Sequence, residues 1–382
     1  MEFRVLSVSG DLERVTISFT RDLIVEKARL PQNFEILPED VEALKVLAVG
    51  KIVTLSGLKL KMGTTYTIKI GEGLRDIDGK ALPEEERIIK YKPRYAKRRI
   101  RVGVVQPLMR WEWEKYYAPI EGGKPLEEEY LNYIGELFDE VGEMKPDITG
   151  ITEAIIREFQ TIPGPYFNML AEKAKKYRMY VVAQIPERDG AKRYSTGVII
   201  DRDGNLVGKY RKVHQPGVAE GKPTTDLGDS FPVFETDFGK VGIMICYDMI
   251  AQEVVRALTI NGAEIIFFPH GTGDVTVSEM NMMLRCQALA LMNCVYIVPC
   301  SFGRMIDRGH GGGFGRSCII APTGLIMADA GRRPGVTSTI IDLEEKRLVT
   351  GYGAPGINDA KYRIMAERRP EVYKDIVKPK NV

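Results

Sequence analysis

Histidine is scarce in this 382-residue sequence, occurring only at His214, His270 and His310. No Cys or His pair falls at the spacing of a zinc ligand set, so no structural metal is expected. Net charge is almost lacking: 54 Lys and Arg stand against 52 Asp and Glu, leaving +2. A protein that grips a phosphate backbone needs a basic excess, so a nucleic-acid partner is excluded. Long apolar runs are absent too. Nothing approaches the roughly 18 apolar residues of a membrane span, and "MEFRVLSVSG" carries charge where a secretion signal would be apolar. Even disulfide-forming potential is thin. Cys246, Cys286, Cys294, Cys300 and Cys318 make an odd set confined to the C-terminal part. That pattern predicts reduced thiols in a cytoplasmic protein without a membrane partner.

What is present is ordinary globular material, 44% hydrophobic and 28% charged, with length for two domains. Residues 1–95 read as β. "RVTISFTRDL", "KIVTLSGLKL" and "TTYTIKIGEG" alternate apolar with polar positions, and "RDIDGKAL" supplies an Asp-Gly turn. Short strands at this spacing predict a small antiparallel sandwich. The charged "YKPRYAKRR" is the expected linker, opening a second domain at 96–382.

From Ile100 onward strands alternate with helices. "RIRVGVVQ", "DITGITEA", "MYVVAQIPE", "GKVGIMICYD", "AEIIFFPHG", "VYIVPCSFG" and "SCIIAPTGLIMADAG" read as strands. "PLEEEYLNYIGELFDEVGEM", "YFNMLAEKAKKYR", "AQEVVRALTING" and "SEMNMMLRCQALALMN" have helical spacing. "YSTGVIIDRDGNLVGKYRKVH" is a hairpin turning at Asp203-Gly204. The order predicts an α/β domain with a mixed sheet covered by helices.

Three segments carry chemistry. "DITGITE" ends a strand on Glu153, "YRKVH" follows a hairpin with Lys212, and "GIMICYD" ends an apolar run on Cys246. Together they resemble the Glu, Lys and Cys triad of the nitrilase, or carbon–nitrogen hydrolase, superfamily. "FGRSCIIAPTGLIMADA" and "RRPEVY" are similar to its late strand and C-terminal segment. Thr152 stands where that family commonly has proline. The resemblance implies a four-layer αββα sandwich, a homodimer or larger homo-oligomer, and neither metal nor cofactor. The segments "VTISFTRDL", "LKLKMGTTYTIKI" and "LRDIDGKAL" resemble bacterial immunoglobulin-like domains. An Ig-like all-β domain is therefore expected to precede the hydrolase.

The residue types suit the implied reaction. A thiol with an ordinary pKa near 8.5 is only a few per cent thiolate at neutral pH and needs a base. Glu153 would accept the thiol proton while Cys246 attacks an amide or nitrile carbon. Lys212 and the backbone N–H of Tyr247 would stabilise the developing oxyanion. Glu220 is the candidate for the family's second glutamate. Asp248 and His270 are candidate pocket residues, and His214 is expected to be structural. The other four cysteines are expected in the core. "RWEWEKYYAPIEGG" reads as an aromatic rim, a subunit contact or an exposed loop, and "RGHGGGFGRS" as a loop at the site mouth lacking a phosphate loop's Lys-Ser/Thr.

Within the family, C-Y-D is similar to amidases and carbamoyl hydrolases, and C-W-E to nitrile-cleaving members. The arginine that follows the cysteine in carbamoyl hydrolases is replaced by Met249 and Ile250. A small amide or N-carbamoyl compound is the expected substrate, with a neutral or amine-bearing amide ahead of an N-carbamoyl amino acid unless Arg256 or another residue takes the arginine's place. A nitrilase and a non-catalytic scaffold are the alternatives.

Overall fold

The computed structural model describes residues 2–38, 40–117, 126–218, 221–271, 277–305, 314–345, 347–350 and 357–378. The chain divides into two compact units, Met1–Arg98 with Glu344–Val382, and Arg99–Leu343.

In the first unit, strands Val5–Gly10, Arg14–Phe19, Ile52–Leu58 and Val41–Val49 form one antiparallel sheet in that order. Phe34–Leu37, Tyr66–Ile70 and Ile88–Tyr91 form a second. Alternation does its expected work: Tyr66, Ile68 and Ile70 are buried while Lys69 faces out. They share one apolar core with Val15, Ile17, Phe19 and Leu55 of the other sheet. The division differs from the expected 1–95 and 96–382, since the chain from Glu344 onward belongs with the first unit. Its anchor is Glu344, which is buried and accepts from Arg98 Nε at 2.7 Å and Ser9 Oγ at 2.8 Å.

The second unit holds two six-stranded sheets. One runs Leu206–Arg211, Lys192–Ile200, Tyr180–Asp189, Ile148–Ile151, Arg99–Gln106, Gly335–Asp342. The other runs Val233–Glu235, Lys240–Ile243, Ile265–Pro269, Tyr296–Cys300, Cys318–Ile320, Ile326–Asp329. The central strands of each pair in parallel and are buried along their whole length, as strands covered on both faces must be. Val102, Val104, Ile148 and Val182 of one sheet meet Val241, Ile265, Phe267 and Val298 of the other in a common core. Helices Leu126–Glu143 and Pro165–Tyr177 cover the outer face of the first sheet. Gln252–Ile260 and Val277–Asn293 cover the second. This is the expected αββα layering.

The sheets approach closely at Gly150. A Cβ there would lie 2.4 Å from Phe267 Cδ1 and 2.9 Å from Cys300 Sγ, so only glycine fits between the layers. Cys286, Cys294, Cys300 and Cys318 are all buried, as expected of core thiols. Among the described residues no helix is long and apolar enough to cross a membrane.

Candidate active site

Glu153, Lys212 and Cys246 come together although 93 positions separate the first from the last. Each follows the C-terminal end of a strand, the place where open α/β sheets present their ligand-handling loops. Glu153 lies two residues beyond Ile148–Ile151, and Lys212 directly follows Leu206–Arg211. Cys246 lies three residues beyond Lys240–Ile243 in the opposing sheet. One sheet therefore supplies carboxylate and ammonium, and the other supplies the thiol.

The Glu153 carboxylate is the hub. Its Oε2 is 3.7 Å from Lys212 Nζ, and its Oε1 accepts the backbone N–H of Gly271 at 2.9 Å. Glu153 and the Gly271 N–H both act electrostatically on the Cys246 thiol. The side chains of Lys212 and Glu153 are only 7% and 14% exposed, so water screens their attraction little. Burial, together with the Glu153 charge, pushes the Cys246 thiol up to about 12, with Lys212 pulling the other way. At neutral pH the sulfur is therefore a thiol beside an acceptor.

Local structure explains the placement. Cys246 opens a short 3₁₀ turn, Cys246–Ile250, with φ of +44°. A non-glycine residue in that region costs about 1–3 kcal/mol and persists only where its surroundings hold it. Thr152 fixes the glutamate from below: its buried Oγ1 donates to the His270 carbonyl at 2.8 Å and ties the two strand ends together. The hydroxyl makes a bond that proline could not. On the other side the Ala154 N–H donates to Gln184 Oε1 at 2.8 Å, and Gln184 Nε2 donates to Ser195 Oγ at 3.2 Å. Gln184 and Tyr210 did not emerge from sequence reading, whereas Gly271 lies in the "HGTGD" turn expected to line the pocket. The signal for Gln184 was a lone amide inside the apolar run "YVVAQIPE". Phe302, fully covered, closes the wall near Gly271 and the glutamate.

Two expected pocket residues stand elsewhere. Asp248 is fully buried, and its oxygens are taken by Tyr210, His214 and the Ile245 N–H. It is an internal acceptor and does not face a substrate space. His270 is fully buried with its ring stacked on Phe268 and tilted against Phe314. Burial lowers its pKa to about 3, so it is a neutral core imidazole. Tyr247 lies in the turn beside Cys246, with its side chain 38% exposed. Glu220 and most of "RGHGGGFGRS" lie outside the described residues. In "RWEWEKYYAPIEGG", Trp113 is buried against Tyr130 and Tyr133, whereas Trp111 is exposed. Among the described residues no group of His, Cys, Asp and Glu could hold a metal ion.

Residues 131–349 match the family model of the carbon-nitrogen hydrolases. Omega-amidase NIT2 of Xenopus tropicalis is 32% identical over 237 residues, covering 58% of this chain and 85% of that protein. Nit3 of Saccharomyces cerevisiae, a solved member of the nitrilase superfamily, gives a TM-score of 0.53 at 24% identity, over 64% of this chain and 91% of that one. A mutant of an amidase from Nesterenkonia AN1 gives 0.56 at 18%, over 73% and 97%. At such identities the structural likeness speaks for the fold alone. The sequence match, spanning more than half the length and taking in all three site residues, carries the assignment: the chain belongs to the carbon–nitrogen hydrolase family.

Proposed function

We propose that the protein hydrolyses a small amide through a thioester on Cys246, releasing ammonia. The thiol sulfur attacks the carbonyl carbon as its proton passes to the Glu153 carboxylate, and the oxygen gains the negative charge. Lys212, with the N–H of Tyr247, stabilises that oxyanion. Glu153 then returns the proton to the departing nitrogen, the C–N bond breaks, and ammonia leaves. Water next attacks the thioester, giving its proton to Glu153, and the thiol is restored as the acid departs.

The observation that carries this reading is the Glu153 carboxylate, placed between the Lys212 ammonium and a thiol held protonated by burial. A thiol near 12 is not a preformed thiolate at pH 7, so deprotonation must accompany attack. The Glu153 carboxylate beside the thiol is the acceptor that meets that need.

Omega-amidase is the name that several relatives carry, which puts an omega-amide first among the compounds to try. Ammonia release should be measured over omega-amides, simple amides, N-carbamoyl compounds and nitriles. Release from amides and not from the paired nitriles is the expected outcome. A preference for the nitrile would make the protein a nitrilase. No release from any class, with thiol alkylation also without effect, would favour a scaffold.

The same reading includes a homodimer or larger homo-oligomer, as the family resemblance implies. Light scattering at micromolar concentration should give at least twice the chain mass of 42.9 kDa, and a strictly monomeric mass would overturn it. The N-terminal strands are proposed to be of the bacterial Ig-like class. A crystal structure would test that by its strand connections.

A further inference from the structure

The mechanism gives no task to the buried carboxylate nearest the nucleophile in the chain. Asp248 sits two residues from the nucleophile, fully covered, in a place where a carboxylate survives only if donors replace its lost water. Both oxygens are so supplied. Oδ2 accepts from Tyr210 Oη at 2.6 Å and from the Ile245 N–H at 2.8 Å. Oδ1 accepts from the His214 N–H at 3.0 Å and lies 3.1 Å from His214 Nδ1.

The positions of these donors matter more than their number. Tyr210 and His214 lie two residues before and two after Lys212, and Ile245 immediately precedes Cys246. Tyr210 Oη also accepts the Val213 N–H at 3.2 Å, drawing the 210–214 segment closed. We propose that Asp248 is a positioning residue: its carboxylate clamps the segment carrying Lys212 to the turn carrying Cys246 and so sets the ammonium where the oxyanion forms. This rests on the oxyanion role given to Lys212 above.

The need for a clamp is physical. Thiol and ammonium come from different sheets, and the turn at Cys246 has a backbone conformation that relaxes unless held. Displacement of a catalytic group by about 1 Å can cost on the order of 100-fold in rate. A carboxylate is also the chemically apt residue. One oxygen faces the Ile245 N–H and the other the His214 N–H, and neither backbone group can become an acceptor. An asparagine offers a single oxygen, so in either orientation its NH₂ confronts a backbone donor.

The test is single-turnover ammonia release, with kcat, KM and melting temperature, for Tyr210→Phe and Asp248→Asn. Each is made alone and combined with Lys212→Ala, beside a Cys246→Ala control. Tyr210→Phe should lower kcat about tenfold, and Asp248→Asn about 100-fold, with KM within about twofold. In the Lys212→Ala background either change should cost less than about twofold, because the group being positioned is gone. Equal losses in both backgrounds would overturn the proposal. So would a lower melting temperature with kcat of the folded protein unchanged. Should Asp248→Asn not fold, Tyr210→Phe and its combination with Lys212→Ala decide the matter alone. Activity surviving in Cys246→Ala would overturn the thioester reading on which the proposal rests. Loss in that control with full activity in Tyr210→Phe would overturn only the clamp.

Discussion

Cys246→Ala is expected to lower kcat for amide hydrolysis by about 10⁴-fold or more, with melting temperature nearly unchanged. The size of the fall follows from covalent catalysis. Without sulfur no thioester forms, and Glu153 and Lys212 are left to assist a direct attack by water. Stability should hold because the change removes a single atom, and the residue as a whole is only partly buried. Ammonia release by the purified variant is the measurement. A residual rate within tenfold of the wild type would end the thioester mechanism.

Glu153→Gln should cost about 10³-fold in kcat, since a positioned acid and base contributes roughly 10²–10⁴-fold and glutamine can fill neither role. The same change has an opposite effect on the thiol. After burial, the Glu153 charge and its hydrogen bond are what raise the Cys246 pKa, and Lys212 lowers it. Neutralising residue 153 therefore moves the thiol pKa down from about 12, so alkylation by iodoacetamide sets in at lower pH than in the wild type. Lys212→Ala moves it up. Unfolding would also let the buried thiol fall toward its ordinary value of about 8.5, so the shift reports the lost Glu153 charge only where the melting temperature of the variant is kept. An alkylation profile that stays in place, or shifts to higher pH, would remove Glu153 from the thiol's surroundings.

Much of the second unit was legible because its strands are buried on both faces. Runs such as "AEIIFFPHG" and "VYIVPCSFG" are long, apolar and β-branched, and each appears at Ile265–Pro269 and Tyr296–Cys300. The strand Gly335–Asp342 was not read. Its sequence "GVTSTIID" is half polar, and its partner Arg99–Gln106 lies more than 200 residues away. That Glu153, Lys212 and Cys246 would lie together was legible because each sits in a short motif resembling the family's, at the end of a strand. Asp248 was misjudged for a related reason. Its partners lie 34 and 38 residues upstream, and no local pattern says whether an acid after a nucleophile points toward substrate or back into the protein. His270 shows the same limit: position along the chain was right, but the ring direction was set by Phe268 and Phe314. The boundary near residue 95 was incomplete because Glu344, which returns to Arg98, is unremarkable in sequence.

That return has a consequence for biosynthesis. Arg98 and Glu344 are 246 residues apart. At translation speeds of about 5–20 residues per second, the acid follows the arginine out of the ribosome by roughly 12 to 50 seconds. The N-terminal strands must wait through synthesis of the whole catalytic unit before their final piece arrives. The catalytic unit can therefore collapse while its neighbour in the chain is still unfinished.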